Sequence, residues 1–595
     1  MGKKGAPAAA GQAKIRPYTS PTLVLLAMDW PDGANHPDFL GFAIMRSPGF
    51  HPGERDGYLT NKISFQPQGP NSQSLPSSVA PIQKFLWWDS AITDADRGTS
   101  FEYTVTPVIG TGPIDLALQH QAEATIKVTV PEIKRGGIST WFNRAVVSSQ
   151  AFAKEFPVPA KDLDKCMQWL ANGMQDAIPA VLKGASEINA AIYHLTDKEW
   201  VVPALKTFRG KASLVYQDQP NRDTTDRAAI KLLKSPNFNV WPRAKTAIMH
   251  DKFVVDVTGK RVLTGSANFT PEGLTSQANL LHIFESPTLA KLYSNRQALI
   301  SPDPSVATTA KGAAWSAAVN IGKARVRVFF SPEPTNQRVS IDTVVKAVKA
   351  AKSSVVFCMF DPTDAALLES LLAVGDQKKL LYGLLNSISD PNASKKKKKT
   401  NLAASGEPPA EPSAAAQIRV TLFNRSRKDK KVIAYSYYAK GTAPAGWLPE
   451  FTTVNLKSKS TLPPPKPGTK KRGIPAVHIH HKFVVIDADT DSPTIYTGSA
   501  NLSKNSTNRN DENLLEIKGS AELAQTYFAE FVRLYEHYRA RALWNLAHPK
   551  SGKGQSASGK SAAALVLKKT RDEWVKGAYR KGTAEYLART NLVNS

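Results

Sequence analysis

The chain is predicted to be an α/β protein: two pseudo-repeated α/β/α sandwich halves preceded by an all-β sandwich. Three observations carry this. Up to Val130 the signals are short β-rich runs broken by Gly, Pro, Asn and Asp. After Pro131 helical stretches alternate with short apolar strands, the texture of a layered sheet. That alternation runs twice, and each pass reaches a nearly identical segment: MHDKFVVDVTGKRVLTGSANFT from Met249 to Thr270, and VHIHHKFVVIDADTDSPTIYTGSANLS from Val477 to Ser503.

Residues 1–14 are small and basic and are expected to be disordered. The β domain is placed at 15–132, with strands in TLVLLAMDW, FLGFAIMRS, IQKFLWWD, SFEYTVTPVIG and EATIKVTVP. In the fourth run Phe101, Tyr103 and Val105 alternate with polar residues, as one buried face requires. The succession of GFAIMR, a Trp-Asp pair, a D-x-x-G turn and FEYTVTPV resembles fibronectin type III and related immunoglobulin-like sandwiches. The first α/β half is placed at 133–310, with strand INAAIYHL between helices, and the second at 320–547, with strand SVVFCMF in the matching place. Within it, 387–417 is a Lys-, Ala- and Pro-rich insertion too poor in apolar residues to order itself, and the basic stretch 455–473 is either a solvated loop or a cationic flap. Residues 548–595 read as a linker followed by a docked helical stretch.

Composition narrows the function. With 595 residues, 42% of them apolar and 21% charged, the chain can bury several cores. The net charge of +27 suits a polyanionic partner, a phospholipid surface or nucleic acid. Two cysteines, Cys166 and Cys358, make no disulfide framework or metal set. No apolar signal core or membrane-length run is present, so the expected location is cytoplasmic, or exported without a cleaved signal peptide.

The duplicated segments carry the chemistry. Alternate residues of a strand share a face, so His250 is expected beside Lys252, and His480 beside Lys482. Each copy continues into a small-residue turn with Ser266 and Asn268, or Ser499 and Asn501. One His-Lys strand would ordinarily be surface decoration; two copies of His, Lys, Ser and Asn in one order are hard to explain by packing. Such a pattern resembles the phospholipase D superfamily, whose H-x-K-x-x-x-x-D and G-S-x-N motifs occur once per half and meet at one site. HHKFVVID, ending in Asp487, matches in full, whereas HDKFVVD brings Asp256 one residue early.

The resemblance implies a phosphodiesterase without a cofactor or metal, working through a phosphohistidine. One histidine attacks phosphorus and the other protonates the leaving oxygen. Lys252, Lys482, Asn268 and Asn501 would stabilise the charge that builds on the phosphoryl oxygens. Phospholipid hydrolysis to phosphatidic acid and free headgroup is the leading expectation, with both half-sites in one monomeric chain. A metal-independent endonuclease and a non-catalytic polyanion-binding scaffold are the alternatives. In the family a carboxylate beyond G-S-x-N commonly orients the histidine of its own half, which implies that Glu512 holds His480; the first half offers Ala278 or Asn279 there. Family habit instead makes His250 the nucleophile, so the assignment stays open. Asp256 and Asp487 are expected to be structural, and His478 is a weak partner for an H-x-H metal pair.

Overall fold

The computed structural model describes residues 11–67, 73–146, 152, 155–156, 161–218, 224–386, 433–436, 478–547, 566–575 and 577–594. The insertion expected at 387–417, the basic stretch 455–473 and residues 1–10 lie outside them.

In the N-terminal all-β domain Lys14–Ser20, Leu23–Asp29 and Leu86–Asp89 form one antiparallel sheet. Ala124–Thr129, Ser100–Ile109, Phe39–Ser47 and Gly57–Tyr58 form the other, with Ala117–Leu118 paired to Ser100–Ile109. Between the sheets pack Val24, Leu26 and Met28 from one side and Phe42, Ile44, Tyr103 and Val105 from the other. The opposite face of Leu23–Asp29 is also covered: Leu23, Leu25 and Ala27 join the core shared by the α/β halves, and Tyr18 meets Phe528 at 4.7 Å between ring centroids. Burial on both faces explains why LVLLAMD is continuously apolar up to its last residue rather than alternating.

The long helix Ala521–Ala547 fastens this domain to the rest, its Glu530 accepting from Ser20 Oγ at 2.5 Å and Thr22 Oγ1 at 2.6 Å. The C-terminal segment then returns to the sandwich. It forms two short helices, Arg571–Val575 and Ala584–Asn594, instead of the single stretch the composition suggests. Gly582, at φ +83°, supplies a left-handed turn between them that other residues rarely adopt. Trp574 Nε1 donates to Phe39 O at 2.9 Å, and Arg589 pairs with buried Asp29 at 2.6 Å.

Each α/β half is an eight-stranded sheet, and the two sheets have the same order. In the first it is Lys134–Arg135, Ile138–Phe142, Leu280–Glu285, Arg261–Gly265, Lys252–Asp256, Glu187–Ile192, Lys211–Gln217, Phe238–Arg243. In the second it is Val319–Ile321, Ala324–Ser331, Glu512–Lys518, Thr494–Gly498, Lys482–Ile486, Ser354–Met359, Leu380–Leu385, Ile433–Ser436. The histidine segments thus feed central strands. Alternation along these strands divides the cores: Phe253, Val255, Phe483 and Val485 face the common core, while Val254 and Val484 face the separate outer cores of their own halves. Just past Ile138–Phe142, Arg144 lies over the Trp169 ring at 4.2 Å.

Candidate functional site

The regular strands begin at Lys252 and Lys482, so the two histidines sit just before them rather than on them as expected. What holds the histidine segments is the other half. Met249 bridges Asp511 in parallel, and His250 N donates to Asp511 O at 2.8 Å. By the same rule, His478–Ile479 pairs in parallel with Gln277–Ala278, and His480 N donates to Ala278 O at 3.1 Å. Each lysine then turns back on its own histidine: Lys252 Nζ donates to His250 O at 2.5 Å, and Lys482 Nζ to His480 O at 2.6 Å.

This braid corrects the assignment of Glu512. Its carboxylate lies 2.7 Å from His250 Nδ1, across the chain, and does not orient His480. His480 Nδ1 is instead 2.9 Å from Asn279 Oδ1. Asn279 is thereby the counterpart of Glu512, and the alternative, Ala278, supplies only backbone. Its amide is fixed the right way round, because Nδ2 donates to Gly273 O at 2.9 Å while Oδ1 accepts from Ser266 Oγ at 2.8 Å. Both histidines therefore carry hydrogen on Nδ1 and keep Nε2 for chemistry. Glu512 is in turn braced by Ser506 Oγ at 2.9 Å and Asn510 Nδ2 at 3.3 Å.

Ser266 and Ser499 are buried and positional. Ser266 Oγ also accepts from Leu280 N at 3.1 Å, and Ser499 Oγ accepts from Asn513 N at 2.9 Å. Asn268 and Asn501 differ from them: their buried Oδ1 atoms have no hydrogen-bond partner in the protein. Buried polar groups are normally satisfied, and a half-turn of each amide would present Nδ2 donors to a ligand.

Burial dominates the electrostatics. Lys252 is pushed down to about 7 by desolvation, and Lys482 well below the usual lysine range by desolvation and then by Lys252. Glu512 is pushed up to about 7 by burial. His250 is pushed well down, first by burial and then by Lys252, Lys482 and His194. Two crowded lysines and two orphaned amides make a site whose energetic deficit an anion would relieve.

Asp256 and Asp487 lie away from this centre and are not equivalents. Asp256 ends its strand and accepts from Arg261 at 2.6 Å and Gly259 N at 2.7 Å. Asp487 lies one residue beyond its strand at φ 54° and accepts from the backbone of Lys352, Ser353 and Ser354. The backbone counterpart of Asp487 is Val257: Val257 N bonds Glu187 O, as Asp487 N bonds Ser354 O.

Sequence reasoning missed the aromatic wall. Tyr193 lies 4.8 Å from both His250 and Lys252, and Phe360 lies 5.0 Å from His480 and 5.2 Å from Lys482. The matching runs YHLTD and FDPTD were the available signal. It also missed the interlock behind His250, where buried Asp511 accepts from Arg243 Nε and Arg296 at 2.8 Å each. Among the described residues no group of three or more His, Cys, Asp or Glu is arranged to hold a metal ion, and no helix is long and apolar enough to cross a membrane.

A family model described as the PLD-like domain of cardiolipin synthase matches residues 161–298 and 444–535. Among solved structures, phosphatidylserine synthase of Haemophilus influenzae Rd KW20 is 13% identical, with a TM-score of 0.41 over 62% of this chain and 85% of that one. NUC of Salmonella typhimurium, a phospholipase D family member, is 21% identical, with a TM-score of 0.19 over 20% of this chain and 82% of its own. NucT from Helicobacter pylori is 17% identical, with a TM-score of 0.20 over 27% of this chain and 94% of its own. No curated protein matches the chain.

Proposed function

We propose, from the match of residues 161–298 and 444–535 to a PLD-like domain, that the chain is a phosphodiesterase of the phospholipase D superfamily that hydrolyses phospholipids to phosphatidic acid and free headgroup. The observation that carries the mechanism is the unequal pairing of the histidines, carboxylate for His250 and amide for His480.

A carboxylate on Nδ1 makes Nε2 more basic and stabilises the cationic ring of a phosphohistidine. That favours His250 as the nucleophile: its Nε2 forms the P–N bond as the P–O bond to the headgroup breaks. An amide on Nδ1 fixes the ring without stabilising its charge, so protonated His480 releases its Nε2 proton readily to the departing oxygen. In the second step neutral His480 takes a proton from water, whose oxygen attacks phosphorus and breaks the P–N bond. Lys252, Lys482 and the amides of Asn268 and Asn501 hold the nonbridging oxygens through both displacements.

Both half-sites lie in one chain, which supports a working monomer. The surplus of positive charge supports docking on an anionic phospholipid surface, and we read the N-terminal sandwich, with its resemblance to fibronectin type III, as a rigid accessory to that docking. The test is headgroup release from phosphatidylcholine vesicles in EDTA, beside a DNA substrate under the same conditions. Release lost in His250→Ala and His480→Ala supports the reading; DNA cleavage without headgroup release replaces it with the nuclease.

A further inference from the structure

After the strand beside each histidine strand, the halves carry corresponding five-residue runs: Tyr193, His194, Leu195, Thr196, Asp197 in one and Phe360, Asp361, Pro362, Thr363, Asp364 in the other. Two places keep their roles. Tyr193 and Phe360 wall the two histidines, and Asp197 and Asp364 accept from the first backbone N–H groups of the helices that follow. The second place differs in charge, His194 against Asp361.

His194 is held in a definite pose. Its Nδ1 lies 2.8 Å from Asp226 Oδ2, whose other oxygen accepts from Leu195 N at 2.9 Å. Its ring lies 3.8 Å from that of Tyr193, the same ring that packs against His250. The His194 side chain is 26% exposed and that of Asp226 5%, so a buried carboxylate steadies a ring open to solvent. With Nδ1 committed to Asp226, Nε2 is the ring nitrogen left for a ligand. None of the displacement steps uses it.

Building on the phosphodiesterase reading, we propose that His194, positioned by Asp226, receives a second anionic group of the substrate beside the scissile phosphodiester. The ligand class is therefore a phosphodiester that carries a further phosphate or carboxylate, as an acidic phospholipid headgroup does.

Calorimetric titration of the full chain in EDTA with glycerol 3-phosphate and with glycerol 1,3-bisphosphate tests this without requiring turnover. One added charge-assisted hydrogen bond should give the bisphosphate roughly a tenfold advantage in wild type. In His194→Asn the advantage should vanish, while the monophosphate affinity stays within about twofold of wild type. Asparagine can donate to Asp226 from the place of Nδ1, so this variant keeps the buried carboxylate paired and removes only Nε2. The double variant His194→Ala/Asp226→Asn, which removes the ring without leaving a buried carboxylate unpaired, is read the same way and covers a failure of the first variant to fold. An undiminished advantage in a folded variant, or none in wild type, overturns the proposal. Retained selectivity in a protein that cleaves no phospholipid would overturn the phospholipase reading and leave the role of His194 standing.

Discussion

The two α/β halves share a strand order, a His-Lys pair, a Ser-x-Asn turn and an aromatic wall, and they differ where a side chain crosses from one to the other. Glu512 reaches His250, whereas Asn279 reaches His480. Duplication alone would give two equal imidazoles competing for one job. On the proposed mechanism, a carboxylate on one crossing side chain and an amide on the other separate them: one ring holds positive charge and the other parts with it. At the rim the halves differ again, His194 in one standing where Asp361 stands in the other.

The largest expected effect is that of abolishing one histidine or the other. His250→Asn should lower turnover on the order of 10⁶-fold, as removal of a nucleophile does. His480→Asn should cost roughly a hundred- to ten-thousand-fold with an alkyl leaving group. With a p-nitrophenyl diester, which departs without a proton, His480→Asn should accumulate phosphate on His250, detectable by mass spectrometry of the trapped chain. Phosphate found on His480 in the His250→Asn protein would reverse the assignment.

Exchanging the crossing residues is the sharper cut. Glu512→Gln should lower kcat by about 10- to 100-fold, the usual cost of losing a partner that orients a catalytic imidazole. Asn279→Asp should raise the basicity of His480 and move the alkaline limb of the pH–rate profile up by about one unit. In the double exchange the phosphate label should shift toward His480; a label that stays on His250 would mean that something other than the crossing residue sets the roles.

The paired aspartates separate by stability instead of rate. Asp256→Ala strands the partly buried Arg261 and should cost about 3 kcal/mol. Asp487→Ala unpairs three backbone N–H groups and should cost about 1–3 kcal/mol in denaturant melts. Neither should change kcat of the folded fraction, and a selective loss of kcat would bring that residue into the chemistry.

Proton linkage gives the smallest signal. Lys252 sits near 7 when folded, against its ordinary 10.5, so between those values the unfolded chain binds the extra proton, and this residue's stability penalty lessens as pH rises from 7 to 10.5. An anion that pairs with Lys252 restores its affinity for the proton. Tungstate binding at pH 8 should therefore take up protons, read as a dependence of the calorimetric heat on buffer ionisation enthalpy, and Lys252→Met should reduce the uptake.

Much of this was legible in the chain. The five β runs, the doubled α/β texture and both His-Lys-Ser-Asn sets follow from alternation, spacing and repetition, which are local. The first-half counterpart of Glu512 is narrowed by the sequence to two neighbours, Ala278 and Asn279, but the own-half pairing expected for Glu512 and His480 is wrong. Glu512 is near His480 in sequence and 262 residues from His250, yet two parallel backbone bridges decide the matter, and such bridges leave no local pattern. Asp256 shows the converse failure: a motif letter displaced by one residue has the neighbours of a different structural position. Docking of the C-terminal segment is expected from the sequence, but its place on the first strands of the chain is not legible, because Arg589 and Asp29 announce nothing until folding brings them together.

The braid also sets a schedule for synthesis. When His250 leaves the ribosome it has neither its backbone acceptor, Asp511, nor its carboxylate, Glu512, and more than two hundred and fifty residues must follow before either exists. On the proposed mechanism, a chain that stops before Asp511 therefore lacks both partners that fit His250 for attack.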